Sequence, residues 1–114
     1  MVNGTKLIKI VKEYFDAWNA QDIKTLESLF SDDVTLTDWD IQVSTKPTVL
    51  EANQNIFNSV KNIRAEVIDI GYNDNKVYAE LIIHVNDDEE LKVLDIITIH
   101  SHNETITSIS AYKQ

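Results

Sequence analysis

The spacing of apolar residues changes part-way along this chain of 114 residues. Near the start, apolar residues recur every three or four positions, which places them on one face of a helix. From Arg64 onwards, they recur in four short runs with the period of two that is typical of a strand. Helices followed by strands with short links indicate an α+β fold, with the helices on one face of an antiparallel sheet.

Three helices are predicted in the first half of the chain. The first spans Thr5 to Asn19, and Asp22 is a suitable N-cap for a short second helix that ends at residues 31–33. A third helix begins near Pro47, whose fixed φ suits a first helical turn. The apolar faces of the three helices consist of Leu7, Ile8, Val11, Tyr14, Phe15 and Trp18, then Ile23, Leu26, Leu29 and Phe30, then Leu50, Ile56, Phe57 and Val60.

Five strands are predicted around and after the third helix. Asparagine and aspartate must form most of the turns, because the chain has two glycines and one proline. The acidic residues 87–90 lack the spacing of a calcium loop and are predicted to form a solvated hairpin turn. We therefore expect residues 1–114 to form a single domain. The predicted strands are Val34–Trp39, Arg64–Tyr72, Lys76–Val85, Leu91–Ile99 and Thr105–Tyr112.

Composition limits the classes of partner and site. With 19 acidic and 10 basic residues the net charge is −9, which disfavours nucleic acid and anionic membranes as partners. The chain has no cysteine, no zinc-type histidine spacing and no glycine-rich phosphate loop, so we expect neither a metal nor a cofactor. The apolar runs are too short to span a bilayer, and no secretory signal pattern is present. These features predict a cytoplasmic protein.

Asp95 is the most informative polar position in the sequence. Its strand has a period of two, which places Asp95 on the same face as four aliphatic residues. Burial on such a face would raise the pKa of the carboxyl group. The alternative is a structural acid that is hydrogen-bonded to a neighbour or faces solvent.

Three more residues have side chains that suit acid–base chemistry. Asp38 and Asp40 follow Leu36 on one side of the first strand, as expected at the mouth of a cavity. Two carboxylates this close can couple, which raises the pKa of one of them. Tyr14 lies on the apolar face of the first helix, where a buried phenol needs a hydrogen-bond partner. The alternatives are a strand that runs out into solvent and a tyrosine that fills the core.

These residues lie in segments that resemble NTF2-like proteins, most closely their ketosteroid isomerase and SnoaL-like branches. The early segments are IVKEYFDAWNAQD (residues 10–22) and LFSDDV (29–34), followed by Asp38. The late segments are VLDIITI (93–99) and ITSISAY (106–112). The resemblance implies a cone-shaped α+β fold, in which three N-terminal helices pack on a curved antiparallel sheet.

The resemblance also implies an activity and a set of site residues. Tyr14 matches the oxyanion-binding tyrosine of ketosteroid isomerases, Asp38 their general base and Asp95 their protonated acid. In those enzymes an apolar site raises the pKa of the acid, which therefore stays protonated. The implied reaction is a cofactor-independent proton transfer on a small apolar carbonyl compound, held in an internal pocket. The residues expected to bind this ligand are Trp18, Asp40, Phe57, Val93 and Ile97.

The sequence departs from the isomerase pattern at Trp39, where those enzymes commonly have proline, and in its aliphatic late strand. The alternatives are a SnoaL-like polyketide cyclase and a non-catalytic binding or dimerisation module. An epoxide hydrolase needs an Asp-Arg-Asp arrangement, for which the sole arginine, Arg64, gives no clear basis. The resemblance further implies a homodimer through the outer face of the sheet. The apolar residues available on that face are Tyr78, Ile82, Leu94 and Ile96.

Overall fold

The computed structural model describes residues 3–114, which form three helices and six strands. Within this range no helix is both long and apolar enough to cross a membrane. The helices are α1 (Gly4–Asn19), α2 (Ile23–Leu29) and α3 (Lys46–Ser59). The strands are β1 (Phe30–Thr37), β2 (Gln42–Ser44), β3 (Ile63–Asn73), β4 (Lys76–Val85), β5 (Glu89–Ile99) and β6 (Ile106–Lys113).

Side-chain caps determine where the first two helices begin. The Asn3 Oδ1 accepts a hydrogen bond from the Lys6 amide at 2.9 Å, and the Asp22 Oδ1 accepts one from the Thr25 amide at 3.1 Å. Such caps satisfy amide groups that have no partner inside a helix. Pro47 lies in the first turn of α3. The predicted first helix, the Asp22 cap and the position of Pro47 are therefore confirmed.

The structure corrects three boundaries around β1 and α3. The second helix ends at Leu29, and residues 31–33 belong to β1 instead of a turn, because Phe30 is buried in the sheet with 1% of its surface exposed. β1 then ends at Thr37, before Trp39. Val60 lies beyond the end of α3. The loop before Pro47 contains the strand β2, whose three residues are too few to show a period.

The six strands form one sheet in the order β2-β1-β6-β5-β4-β3. Strands β3 to β6 pair antiparallel in sequence order, as predicted, whereas β1 pairs parallel with β6. Register shifts occur between Val67 and Asp69 in β3 and between Thr98 and Ile99 in β5. Such irregularities bend a strand, which contributes to the curvature of the sheet. Helix α1 contacts β3 and β4, and α3 contacts β1 and β2.

The side chain of Asn19 joins the end of α1 to the sheet. Its Nδ2 donates to the carbonyl oxygen of Ala65 at 2.9 Å, and the Ala65 amide donates to its Oδ1 at 2.7 Å. This reciprocal pair satisfies backbone groups of the edge strand β3. It also holds the helix that bears Tyr14 and Trp18 at a fixed position on the sheet.

The inner face of the sheet is packed at one end and open at the other. At the packed end, Ile97, Ile99 and Ile106 are fully buried, together with Leu7 and Val11 of α1. At the open end, the first halves of β3 and β5 and the second halves of β4 and β6 surround a cavity of about 420 Å³. The packed end contributes apolar burial, and the open end leaves room for a ligand.

Two matched isoleucine substitutions test this asymmetry. Ile97→Ala removes a fully buried side chain and should lower the free energy of unfolding by about 3–4 kcal/mol. Ile83→Ala removes the same atoms from a half-buried position on the cavity wall and should cost about 1 kcal/mol. Urea unfolding of both variants measures the difference. Equal losses would show that the open end is as tightly packed as the other.

Candidate active site

The three side chains predicted to be catalytic all line the cavity. Tyr14 comes from α1, Asp38 from the turn after β1 and Asp95 from β5. Their elements are far apart in sequence, and the fold brings them to one space. A cavity of about 420 Å³ lies within the usual range for small-molecule sites.

Asp95 lies on the inner face of β5 and has 7% of its surface exposed. Its neighbours across the ladder are Ala79 of β4 and Ala111 of β6, whose small side chains leave space beside the carboxyl group. No hydrogen bond from residues 3–114 contributes to the pKa of this carboxyl group. Burial, reinforced by the charge of Asp38, raises the pKa of Asp95 to about 7. A large fraction of Asp95 therefore keeps its proton near neutral pH.

Tyr14 is also buried, and it lines the same cavity as Asp95. Its ring packs against Phe15 and Phe30, with centroid separations of 5.1 and 6.1 Å. Burial and, to a smaller extent, the charge of Asp95 raise the pKa of the Tyr14 hydroxyl above its ordinary value. Within the described part of the chain no hydrogen bond contributes to this pKa. Tyr14 is thus a protonated donor that can bind a ligand oxygen.

Asp38 occupies a tight turn at the end of β1. Its Oδ1 accepts hydrogen bonds from the amides of Asp40 at 2.7 Å and Ile41 at 2.6 Å, and its own amide donates to the Ile41 carbonyl at 2.8 Å. These bonds fix the orientation of the carboxylate. The Oδ2 atom accepts no hydrogen bond from residues 3–114 and is available to a ligand. Because of this turn, β1 does not continue to Asp40 as predicted. Both Asp38 and Asp40 nevertheless line the cavity.

The structure places three of the five expected ligand-binding residues on the cavity wall, namely Trp18, Asp40 and Val93. Phe57 does not line the cavity, because its ring packs edge-on against Trp18, with the centroids 5.2 Å apart. Ile97 does not line it either, because it lies two residues beyond Asp95 in the packed end. Neither residue is therefore on the cavity wall, and a direct contact of either with a ligand stays a prediction.

Asn53, which was not predicted from the sequence, lines the cavity and has 2% of its surface exposed. Its Oδ1 accepts a hydrogen bond from the Trp18 Nε1 at 2.9 Å, and its Nδ2 donates to the Val49 carbonyl at 2.9 Å. The available signal was its spacing of four residues from both Val49 and Phe57. That spacing puts Asn53 on the buried face of α3.

Glu89 and Trp39 were also missed as residues of the cavity wall. Glu89 was assigned to a solvated turn, but β5 begins at Glu89, and the period of two places it on the same face as Asp95. Trp39 is 42% exposed, and the Nζ of Lys113 lies 5.5 Å from its ring centroid. The rest of the wall is mainly aliphatic, with Leu36, Ile41, Ile56, Ile63, Leu81, Ile83, Leu91 and Ile109.

No group of three or more histidine, cysteine, aspartate or glutamate side chains in residues 3–114 is arranged to hold a metal ion.

A family model described as a SnoaL-like domain matches residues 11–109. The chain belongs to the SnoaL-like domain family. The matched range contains Tyr14, Asp38 and Asp95. A comparison with curated proteins finds no match.

Several solved structures have the same fold as this chain. An NTF2-like protein of unknown function from Cytophaga hutchinsonii is 14% identical, with a TM-score of 0.81 over 95% of this chain and 89% of that chain. A candidate ketosteroid isomerase from Kribbella flavida is 12% identical, with a TM-score of 0.85 over 97% and 79%. A candidate polyketide cyclase from Sinorhizobium meliloti is 17% identical, with a TM-score of 0.82 over 90% and 93%. At these identities the SnoaL-like chain shares the NTF2-like α+β fold with them.

The raised pKa of Asp95 predicts an unusual dependence of stability on pH. Between pH 4 and pH 7 the folded protein keeps a proton that the unfolded chain has lost, so the free energy of unfolding should fall with rising pH. The contribution of this one group is about 4 kcal/mol across that window. Asp95→Asn should remove the fall and stabilise the protein at pH 8. Urea unfolding of the wild type and of Asp95→Asn at pH 5, 6, 7 and 8 measures the free energy of unfolding of both proteins.

Glu80→Gln is the control for that experiment, because Glu80 is an exposed acid on β4. Its profile should parallel the wild type. If Asp95→Asn were less stable than the wild type by the same amount at every pH, the expected cost of ionising Asp95 would be contradicted.

Proposed function

We propose that this SnoaL-like protein is a cofactor-independent proton-transfer enzyme that enolises or isomerises a small, largely apolar carbonyl compound. The observation that carries the proposal is the convergence of Tyr14, Asp38 and Asp95 on one mainly aliphatic cavity. The raised pKa of Asp95 adds a second hydrogen-bond donor beside the hydroxyl of Tyr14. The roles are those implied by the resemblance to ketosteroid isomerases.

In the proposed first step, the Asp38 carboxylate removes a proton from the carbon next to the carbonyl group. The C–H electron pair forms a carbon–carbon double bond, and the carbonyl electrons move onto oxygen to give an enolate. The turn that binds Oδ1 leaves Oδ2 as the base. Return of the proton to a different carbon shifts a double bond, and Asp38 is again a carboxylate.

The enolate oxygen accepts hydrogen bonds from the Tyr14 hydroxyl and from the protonated Asp95 carboxyl group. Loss of one such donor typically costs about 2.7–4 kcal/mol of transition-state stabilisation. The charge of Asp38 raises the pKa of Asp95, so the base helps to keep the acid protonated before the reaction starts. When Asp38 accepts the proton, the negative charge is transferred to the ligand oxygen beside both donors.

The open cavity favours this activity over a purely structural module, which would need no unfilled space around Tyr14, Asp38 and Asp95. A polyketide cyclase acting by aldol chemistry could use the same base and donors, and it would differ in closing a ring. An epoxide hydrolase is less well supported, because Arg64 is not among the described residues that line the cavity.

Proton exchange tests the proposed function without knowledge of the natural substrate. In D₂O the wild-type protein should exchange the α-protons of a simple cyclic ketone such as cyclohex-3-enone, as followed by proton NMR. Asp38→Asn should lower the exchange rate by a factor of about 10³, and Tyr14→Phe by about 10². Asp69→Asn, at an exposed position on β3, is the control and should exchange like the wild type.

Circular dichroism should show that the Asp38→Asn protein keeps its secondary structure. Exchange that is as fast in Asp38→Asn as in the wild type would exclude Asp38 as the base. A wild-type protein that exchanges no ketone above the buffer rate would contradict the proposed chemistry.

We also propose that two copies of the chain pair through the outer face of the sheet. In the ladder, Tyr78 lies opposite Ile96, and Leu94 lies opposite Tyr112. These four residues make an apolar strip across β4, β5 and β6 on the face away from the cavity, and Tyr112 is 54% exposed. An exposed strip of this kind favours a protein partner, and a second copy presents a matching strip.

Light scattering coupled to size-exclusion chromatography tests the pairing. The wild type should have twice the 13.0 kDa mass of one chain. Ile96→Lys places a charge in the strip and should yield a monomer. Tyr72→Lys is the control, since Tyr72 lies opposite the buried Val77 on the other face. A wild-type mass of one chain at all concentrations would contradict the proposal.

A further inference from the structure

One hydrogen bond joins two side chains that both line the cavity, and the proposed proton transfer uses neither of them. The Nε1 of Trp18 on α1 donates to the Oδ1 of Asn53 on α3 at 2.9 Å. The two residues are 35 positions apart in the sequence, and both are more than nine-tenths buried. The bond therefore fixes a part of the cavity wall that is distinct from Tyr14, Asp38 and Asp95.

Asn53 binds the indole group of Trp18 in one defined orientation. An indole N–H is a donor only, so the amide oxygen of Asn53 must face it. The amide nitrogen lies at the other end of the group, where it donates to the Val49 carbonyl at 2.9 Å. Because both ends of the amide group are bonded, its plane is fixed, and so is the position that the Trp18 Nε1 must occupy.

A ring contact further restricts the indole. The ring of Phe57, one helical turn after Asn53 on α3, packs edge-on against Trp18 at an angle of 68°, with the centroids 5.2 Å apart. Aromatic pairs prefer this kind of edge-to-face geometry. One hydrogen bond and one ring contact therefore hold the indole of Trp18 in a single orientation.

Core packing alone does not require this polar pair. Asparagine has a low helix propensity, and Asn53 lies on the buried face of α3 with Val49 and Phe57. Replacing both partners of a buried hydrogen bond by apolar groups of the same shape is often neutral or stabilising. Two apolar side chains would therefore fill the space, but they would not orient an indole ring.

The cavity has an aromatic side and an aliphatic side. Helix α1 contributes Tyr14, Phe15 and Trp18 to its wall. Tyr14 and Trp18 are four residues apart, which is about 6 Å along a helix axis. This spacing suits a ring that contacts the indole and bears a carbonyl group bound by Tyr14. The aliphatic residues that β4, β5 and β6 contribute include Leu81, Ile83, Leu91, Val93 and Ile109.

We propose that Trp18 is the specificity-determining surface of this cavity and selects ligands with a flat ring system, and that Asn53 is the positioning residue that orients its indole. A flat ring stacks on an aromatic face over its whole area, whereas a puckered ring touches that face with fewer atoms. The substrate class of the proposed enzyme is then a cyclic, conjugated carbonyl compound. This inference rests on the proposed function only for the carbonyl group.

Two bicyclic ketones that differ in the flatness of their rings test the selection. The probes are 1-indanone, which is flat, and octahydro-1-indanone, its saturated and puckered counterpart. Titrations followed by amide NMR measure both dissociation constants. The wild type should bind 1-indanone about fivefold more tightly than the saturated ketone. Trp18→Leu should reduce this ratio to about one, because leucine has no aromatic face.

Asparagine variants on α3 test the positioning role. Asn53→Leu should lower the ratio to about twofold, and the Trp18 Nε1–H signal should shift and exchange faster with D₂O because its acceptor is gone. Asn53→Gln, which displaces the amide by one methylene group, is a second variant and should also lower the ratio. Asn55→Leu makes the same change as Asn53→Leu at an exposed position and should keep the wild-type ratio and signal.

A double-mutant cycle separates positioning from a general loss of packing. In a Trp18→Leu background, Asn53→Leu should leave the ratio of the two dissociation constants unchanged, because the indole that Asn53 orients is absent. An equal change of the ratio in both backgrounds would contradict an action of Asn53 through Trp18.

Three further results would overturn the inference. Binding of neither ketone, or tighter binding of the saturated one to the wild type, would contradict a site for flat rings. A ratio that Trp18→Leu leaves unchanged would exclude Trp18 as the selecting surface. A wild-type ratio in both Asn53→Leu and Asn53→Gln would exclude the positioning role. These titrations measure no turnover, so the ligand class and the proton-transfer chemistry can fail independently.

Discussion

The carboxyl group of Asp95 lies buried in an apolar wall and within the field of Asp38. Ionising it there opposes folding by about 4 kcal/mol, a large fraction of the 5–15 kcal/mol that usually holds a small domain together. An aliphatic residue at this position would avoid that cost. Such an unfavourable arrangement is typical of functional sites, where a shifted pKa serves the chemistry.

The fold supports this arrangement by treating the two ends of its sheet differently. One end is filled by fully buried side chains such as Ile97 and Ile106, which provide much of the apolar burial. At the other end, Ala79 and Ala111 leave room beside Asp95. The Asn19 side chain joins α1 to β3, and the turn at Asp38 fixes the base at the rim. Stability and the open site thus come from separate parts of one core.

The period of the apolar residues was sufficient to place Asp95 on the inner face of its strand and Tyr14 on the buried face of α1. The strand and helix periods fix the face on which each side chain lies. They could not show how far the cavity extends along a face, which depends on how α3 crosses the sheet. For that reason Phe57 and Ile97 were expected on the wall, whereas Asn53 and Glu89 are there.

Some helix and strand ends are set by neighbouring residues in the sequence, and others are set by packing against distant parts of the chain. Asp22 and Pro47 carry local signals, and the structure follows them. Phe30 fits the apolar repeat of the second helix equally well, and only its burial against the rest of the sheet makes it the start of β1. The strand β2 exists through its pairing with β1, which three residues of sequence cannot reveal.

The most direct test of the account is the protonation of Asp95, followed by carbon-13 NMR of its carboxyl group from pH 3 to pH 9. The account predicts a pKa of about 7 for Asp95 in the wild type, compared with an ordinary value of 3.8. In Asp38→Asn the pKa of Asp95 should be lower, because the repelling charge is gone, and it should stay above the ordinary value through burial. An ordinary pKa for Asp95 in both proteins would contradict the central claim that this cavity holds a protonated acid.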